Sequence, residues 1–421
     1  MNEVLNKIQT IAGKKRVRQA GVLYISLSIG VLVGIGVSVL NTRLLGPERY
    51  GDFKFLQSLF SFAVTFVTLG LFYSGARLMA LEKVRMGQRQ IVGGISILAI
   101  FMSIALFVLF FIFSFFEENV FDNELGWYVR VLSPFLFIFP FQLGLDNLLQ
   151  GSNRIYQLSA FRLGPKVLYL IVILVYSYFF PFNLNHALIF YFSSLGAIIL
   201  LSLLALKPDL SELSKTIHRI FQENRSYGFQ VFLGAVTGLA SAQLGALAIG
   251  YFIDNANVGF FALAITASQP LAMIPNSIGT TFFRDFTGMA RIPKKVFITT
   301  VLVSLVSLAI FLLIIKQLVI FLYTEEYLAV VPIAYYVSIG SVLHGLGDFF
   351  NRFLAAHGRG KEMRNSNIII GVCNVLGYIF LTWWIGVQGA AVTKLFAGAT
   401  YVLVMVWYYQ RLIRSPENEK R

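Results

Sequence analysis

Twelve runs of about 20 mostly apolar residues follow one another along this chain, and that repetition constrains its fold more tightly than anything else in the sequence. A helix rises about 1.5 Å per residue, so each run matches the hydrocarbon thickness of a bilayer. Lipid offers no partner for backbone N–H and C=O groups, so each run must satisfy them internally as a helix. The expected spans are 21–44, 53–76, 91–116, 128–149, 165–182, 186–206, 228–252, 258–282, 296–322, 329–351, 367–385 and 388–410. Composition agrees: 57% of the residues are hydrophobic and 13% charged, against about 25% charged in a soluble domain.

Loop charges give the orientation, because cytoplasmic loops collect Lys and Arg. The tail 1–20 and the loops 77–90, 150–166, 207–227, 283–295, 352–366 and 411–421 hold 28 of the 34 Lys and Arg residues. The opposite side holds Arg43, Arg49, Lys54, Arg130 and Lys316, together with the acidic Glu117, Glu118, Asp122, Glu124, Glu325 and Glu326. Both termini are therefore expected in the cytoplasm. The run from about Gly21 to Leu45 follows a basic cluster, Lys14 to Arg18, as a signal peptide would. It exceeds the roughly 7–15 apolar residues of a signal-peptide core and reads as the first spanning helix.

The chain also resembles itself. At a shift of 208, the turn Leu45-Gly46-Pro47-Glu48-Arg49-Tyr50-Gly51-Asp52-Phe53 falls on Ile253 to Phe261, each with a glycine followed two residues later by an aromatic. The same shift lays Ser26, Gly30, Gly34 and Ser38 on Gly234, Gly238, Ala242 and Ala246, a small residue every fourth position. Such a stripe is expected to let a neighbouring backbone approach. Gln150 to Arg154 matches His357 to Lys361 at a shift of 207. Six helices per copy is an even number, so the copies share one orientation and an axis along the membrane normal relates them. The expected fold is an all-α polytopic membrane protein with about twelve transmembrane helices in two six-helix lobes. These are 1–206 and 207–421, the second preceded by the polar, amphipathic cytoplasmic linker Lys207 to Tyr227.

Several chemistries are disfavoured. The histidines at 186, 218, 344 and 357 are scattered without metal-ligand spacing, and no Walker sequence is present. No metal, cofactor or catalytic residue is expected, and the chain is not expected to be an enzyme. The lone Cys373 cannot form an internal disulfide. The net charge of +14 is spread between apolar runs and forms no single patch, which disfavours nucleic acid as a partner.

Three segments resemble a known family. Leu44-Leu45-Gly46-Pro47-Glu48-Arg49-Tyr50-Gly51 is similar to the Leu-Gly-Pro-Glu-x-Tyr-Gly turn of bacterial polysaccharide flippases. Leu148 to Arg154 and Ile385-Gly386-Val387-Gln388-Gly389-Ala390-Ala391 resemble the turn after helix four and the start of helix twelve in the same group. That group is the Wzx-type O-antigen and polysaccharide exporters, within the multidrug/oligosaccharidyl-lipid/polysaccharide exporter superfamily. The resemblance implies a flippase in the bacterial cytoplasmic (inner) membrane, serving surface polysaccharide biosynthesis. It would move an undecaprenyl-pyrophosphate-linked oligosaccharide from inner to outer leaflet by alternating access. The implied partners are that lipid-linked oligosaccharide and membrane lipids, with a polysaccharide polymerase and a chain-length regulator as candidates. The rival readings are a small-molecule or multidrug ion-coupled antiporter, a lipid II flippase, and a non-transporting membrane scaffold.

A pyrophosphate passing through a low-dielectric interior needs positive charge, so bases outside ordinary loop positions are the candidates. Lys394, about six residues into the twelfth helix, either meets the anion or snorkels to the outer interface. Arg43 and Lys54 flank the first outer turn and suit anion binding or interfacial anchoring. Arg77 and Arg284 stand at inner helix ends. For gating or coupling, the candidates are Asp146 near the inner end of the fourth helix, and His344, Asp348 and Arg352 in the tenth. These last three are spaced by four and share one helical face. Arg154 or Arg162 is the expected partner of Asp146, and Arg352 that of Asp348. Pro134, Pro140, Pro270, Pro275 and Pro332 mark hinge candidates, with Gln142, Gln269 and Asn276 as polar neighbours.

Overall fold

The computed structural model describes residues 2–414; the side chains of 2–21, 23, 24, 237, 239 and 284 lie outside that description. Every regular element among the described residues is helical. Among the described residues, eleven helical stretches are long and apolar enough to cross a membrane. The first, Ile25–Val67, contains Gly46 at φ 73° and ψ 173°, where two helices meet, so the stretches make twelve segments. Gly46 takes a left-handed φ that a side chain would resist. Pro47 then opens the next helix, where its missing N–H costs nothing.

The segments are α1 (2–45), α2 (47–67), α3 (Arg85–Phe113), α4 (Gly126–Gly151), α5 (Ile155–Phe179), α6 (Leu184–Leu206), α7 (Phe229–Phe252), α8 (Asn255–Thr281), α9 (Lys294–Tyr323), α10 (Val330–Ala356), α11 (Gly360–Ile385) and α12 (Val387–Ile413). Several begin earlier than hydropathy suggests. The helix expected from 165 starts at Ile155, and the one expected from 367 starts at Gly360. Hydropathy marks only the apolar part of a helix, whereas its backbone bonds continue through the polar turns at the membrane surface. Arg162 and Lys166 are therefore helix residues and not loop residues.

By compactness the chain forms two units. One comprises 1–40, 66–115 and 126–233, and the other 41–65, 116–125 and 234–421. The last turn of α1 and nearly all of α2 thus belong with the second unit, although the sequence repeat assigns them to the first copy.

In the first unit, α2 breaks at Leu69 and Gly70, both at positive φ, and continues as the helix Leu71–Leu81. The linker packs on that break. Its helix, Leu213–Glu223, buries Thr216 and Ile220, which meet Gly94 of α3. A Cβ on Gly70 would collide with the Gly228 carbonyl. Arg77 pairs with Glu223 at 2.7 Å and Arg219 with Glu82 at 3.1 Å. The Val84 N–H and Arg219 hold the Glu82 carboxyl below its usual range.

In the second unit, the two turns matched by the 208-residue shift pack on one another. A Cβ on Gly51 would run into the backbone of Asn255 and Ala256, and one on Gly259 would lie 3.1 Å from the Gly51 Cα. Glycine is needed there because backbone meets backbone. The stripe on α1 and α7 behaves otherwise: nothing lies within 4 Å of a Cβ built on Gly34 or Gly238. Those two glycines leave space, whereas Gly30 and Gly234 of the same stripes lie within ordinary contact distance of Leu163 and Arg364. Towards the other end of this unit, Phe286, Phe349, Phe350, Phe353, Tyr401 and Met405 form a buried core. Part of the aromatic content is thus core.

Candidate functional site

The residues brought together by α8, α10 and α12 form the main polar cluster of the second unit. Close packing comes first. On α10, a Cβ at Gly340 would meet the Lys394 backbone of α12, and one at Gly347 would meet the Tyr401 ring. On α12, a Cβ at Gly398 would collide with the Gly340 carbonyl. Three glycines therefore let α10 and α12 approach until their polar side chains interlock.

Asp348 is the centre. The Tyr401 hydroxyl donates to Asp348 Oδ1 at 3.0 Å, and Asn276 Nδ2 donates to Oδ2 at 3.4 Å. Arg352 does not bond Asp348 directly as its spacing suggests. Its Nε and Nη2 donate to Asn276 Oδ1 at 3.3 and 3.2 Å, so the charges are linked through an amide. The reason is reach: Arg352 starts one turn further along α10 and extends to α8, leaving the carboxylate to Tyr401. Asn351 Nδ2 donates to the Tyr401 hydroxyl at 2.7 Å, completing its hydrogen bonding. The His344 ring packs on Tyr401 with centroids 4.5 Å apart. Lys394 on α12 acts electrostatically on both His344 and Asp348. Asp348, His344, Arg352 and Lys394 are all half-buried. The cluster thus holds two cations, one carboxylate and an imidazole on α10 and α12, joined by the Asn276 amide from α8.

The other candidates fall elsewhere. Asp146 takes a two-toothed salt bridge from Arg162, at 2.7 and 2.8 Å, and a bond from Gln150 at 2.6 Å. Arg154, the alternative partner, donates to Gln88 instead. Arg43 donates Nε to the Leu322 carbonyl at 2.9 Å and Nη2 to that of Phe321, so it caps the last turn of α9. Lys54 bonds Gln57 at 3.2 Å and lies over the Tyr50 and Phe53 rings. Arg77 is held by Glu223 and stacks on Tyr227 at 4.6 Å, tying down the linker. The Arg284 side chain lies outside the described residues. Arg130 donates to the Ser114 hydroxyl at 3.3 Å and stacks on Phe115.

Sequence reasoning missed Tyr401 and Asn351. Nineteen tyrosines give one of them no distinction. The usable signal was that Tyr401 follows Lys394 by seven residues, two turns along the same face of α12.

The model of a family described as polysaccharide biosynthesis protein matches residues 17–283, more than half of the chain. The chain belongs to that family. Among solved structures, that of the lipid II flippase MurJ in an inward closed conformation superposes with a TM-score of 0.70. Identity is 14%, covering 92% of this chain and 87% of that one. The inward-facing conformation of a multidrug resistance MATE family transporter of the MOP superfamily gives 0.70, also at 14% identity, covering 94% and 99%. An outward-facing conformation of such a transporter gives 0.55 at 14% identity, covering 96% of each. No curated protein matches the sequence significantly. At these identities the superpositions show the fold, the two-lobe, twelve-helix architecture of the superfamily. Family and fold together make this a multi-pass membrane protein of the polysaccharide biosynthesis family, with the fold that the MurJ and MATE structures share.

Proposed function

We propose that the chain flips an undecaprenyl-pyrophosphate-linked oligosaccharide from the inner to the outer leaflet of the bacterial cytoplasmic membrane by alternating access of two six-helix lobes, 1–206 and 207–421. Its product serves surface polysaccharides such as O-antigen, and a polymerase and a chain-length regulator act with it. The observation that carries the reading is Lys394, a half-buried cation beside Asp348 and His344 in a chain of the polysaccharide biosynthesis family. A diphosphate carries its charge through the membrane at a cost of several kcal/mol unless cations meet it. Lys394 and Arg352 meet the pyrophosphate. Asp348 balances Lys394 while the site is empty, and the Asn276 and Tyr401 bonds hold its carboxylate in place. The sugars, rich in hydroxyls, stay in the polar interior while the lipid tail remains in the bilayer.

The test is deletion of the gene in its host, followed by analysis of the lipid-linked glycans. Accumulation of undecaprenyl-pyrophosphate-oligosaccharide on the inner leaflet supports the reading. Accumulation of lipid II supports the peptidoglycan-precursor alternative, and drug hypersensitivity with normal glycans supports the antiporter. Reporter fusions check the orientation: those at Lys215 and Arg421 should report cytoplasm, and those at Asn123 and Glu325 the outside. An outside signal at Arg421 would overturn the two-copy topology.

A further inference from the structure

The turn between α3 and α4 carries a buried carboxylate with a hydrogen bond on one oxygen and none on the other. Glu117 opens the short helix Glu117–Phe121 and is 0% exposed. Its Oε1 accepts from Asn123 Nδ2 at 3.0 Å, while its Oε2 is buried without a hydrogen-bond partner. The charges acting on it are like charges: Glu118 in its own turn and Asp52 from α2. The nearby cation Arg49 is already paired with Asp52 at 3.2 Å, and Asn255 at the start of α8 donates to Asp52 at 2.9 Å. Phe121 closes the site from one side, edge-on to Phe55 with centroids at 4.8 Å and to Tyr251 at 6.0 Å.

These residues line a seam in the second unit. There, 41–65 and 116–125 from the first sequence copy pack on 234–421. The Gly51–Gly259 contact, the Arg43 cap on α9 and the bond from the Tyr327 hydroxyl to the Thr42 carbonyl at 3.0 Å close it. The 208-residue repeat gives the second copy its own acidic pair, Glu325 and Glu326, and both are exposed. One of two equivalent turns has been folded into the seam with its carboxyl inside.

We propose that Glu117 is the proton-binding latch of the outer seam: its carboxyl is neutral while the seam is closed and ionises when the seam opens to the outer solution. An ionised carboxylate there would be buried with one oxygen unsatisfied and two like charges nearby, whereas a proton removes the charge and turns Oε2 into a donor. Burial, with Glu118 and Asp52 adding to it, pushes the Glu117 carboxyl up from 4.5 to about 7. The sign follows by linkage. The closed seam binds the proton more tightly than the open one, where water restores the ordinary value. Protonation therefore favours closure fully below about pH 4.5, the benefit falls as pH rises, and it is gone above about pH 7. Over that window the closed-to-open ratio drops by on the order of 100-fold. The latch rests on the alternating-access reading, since a seam that never opens needs none.

Spin labels at Glu48→Cys and Glu326→Cys, both exposed, in a Cys373→Ser background report the seam by distance measurement in lipid nanodiscs without substrate. The closed population should fall between pH 4.5 and 7 and level off above. Glu117→Gln should stay closed at every pH, and Glu118→Gln should respond nearly as the parent does. Asp52→Asn, which keeps an acceptor for Asn255 but removes a like charge, should narrow the window from its upper end. A parent distance distribution constant across the window, or an unchanged response in Glu117→Gln, would overturn the latch. Should Glu117→Gln fail to fold, an unaltered window in Asp52→Asn would do the same. Because no substrate is present, loss of the latch leaves the transport reading standing. A chain that flips no glycan would still show the pH response.

Discussion

Asp146 on α4 and Asp348 on α10 stand towards the same end of corresponding helices, yet they are satisfied in opposite ways. Asp146 is met head-on by the Arg162 guanidinium, with that side chain 37% exposed and the carboxylate 21%. Asp348 is met by neutral donors, Tyr401 and Asn276, while its cations Arg352 and Lys394 stand off without a direct bond. A carboxylate clamped by its own arginine is electrically finished and has little to offer an arriving anion. One that shares loosely held cations can surrender them to a ligand, because no two-toothed bridge must first break. Under the proposed function, the difference separates a structural ion pair from a working one.

The largest expected effect tests the loosely held cation. Lys394→Ala should reduce glycan export at least about tenfold at matched protein levels, while Lys394→Arg should keep part of it by retaining charge; 1.4 kcal/mol of lost anion stabilisation is about tenfold. Normal export by Lys394→Ala would return that residue to a merely snorkelling role. Next comes the pair itself. Asp348→Asn should lower export several-fold and Asp146→Asn should lower it less than about twofold, since a partly exposed bridge contributes only about 0–1 kcal/mol. If the order is reversed in a complementation assay, the comparison fails. Tyr401→Phe removes one charge-assisted bond, about 1.5–3 kcal/mol, from Asp348. It should give an export defect between those two, and thermal unfolding in detergent should show the accompanying loss of stability. The smallest effect is expected from Arg43→Ala, where water replaces the guanidinium at exposed carbonyls. Stability should fall by about 1 kcal/mol and export should be unchanged. An export defect there would make Arg43 a second anion contact.

Much of this molecule is legible from its residues. Apolar length gave the crossing segments, with Gly46-Pro47 marking the first turn. The 208-residue shift picked out two turns that the structure packs together at Gly51 and Gly259. The spacing of His344, Asp348 and Arg352 put them on one face. The misreadings share a cause. Arg352 was expected on Asp348 because only same-helix spacing can be read from sequence; the competing partners, Asn276 and Tyr401, come from other helices. Arg43 and Arg77, readable from sequence as anion contacts or as residues at helix ends, have partners that same-helix spacing does not show: the carbonyls of α9 and the linker's Glu223.

The sequence by itself determined that the chain lies in lipid, how many times it can cross and which residues recur in both copies, because these follow from backbone hydrogen bonding and from periodicity along one helix. Only the tertiary structure decided which charges meet directly and which stand apart. It also decided that Glu117 is buried while its repeat, Glu325, is exposed. The physical reason is that burial and pairing are properties of what lies across a helix interface, and a Glu-Glu pair carries no mark of its own of whether the rest of the chain will cover it.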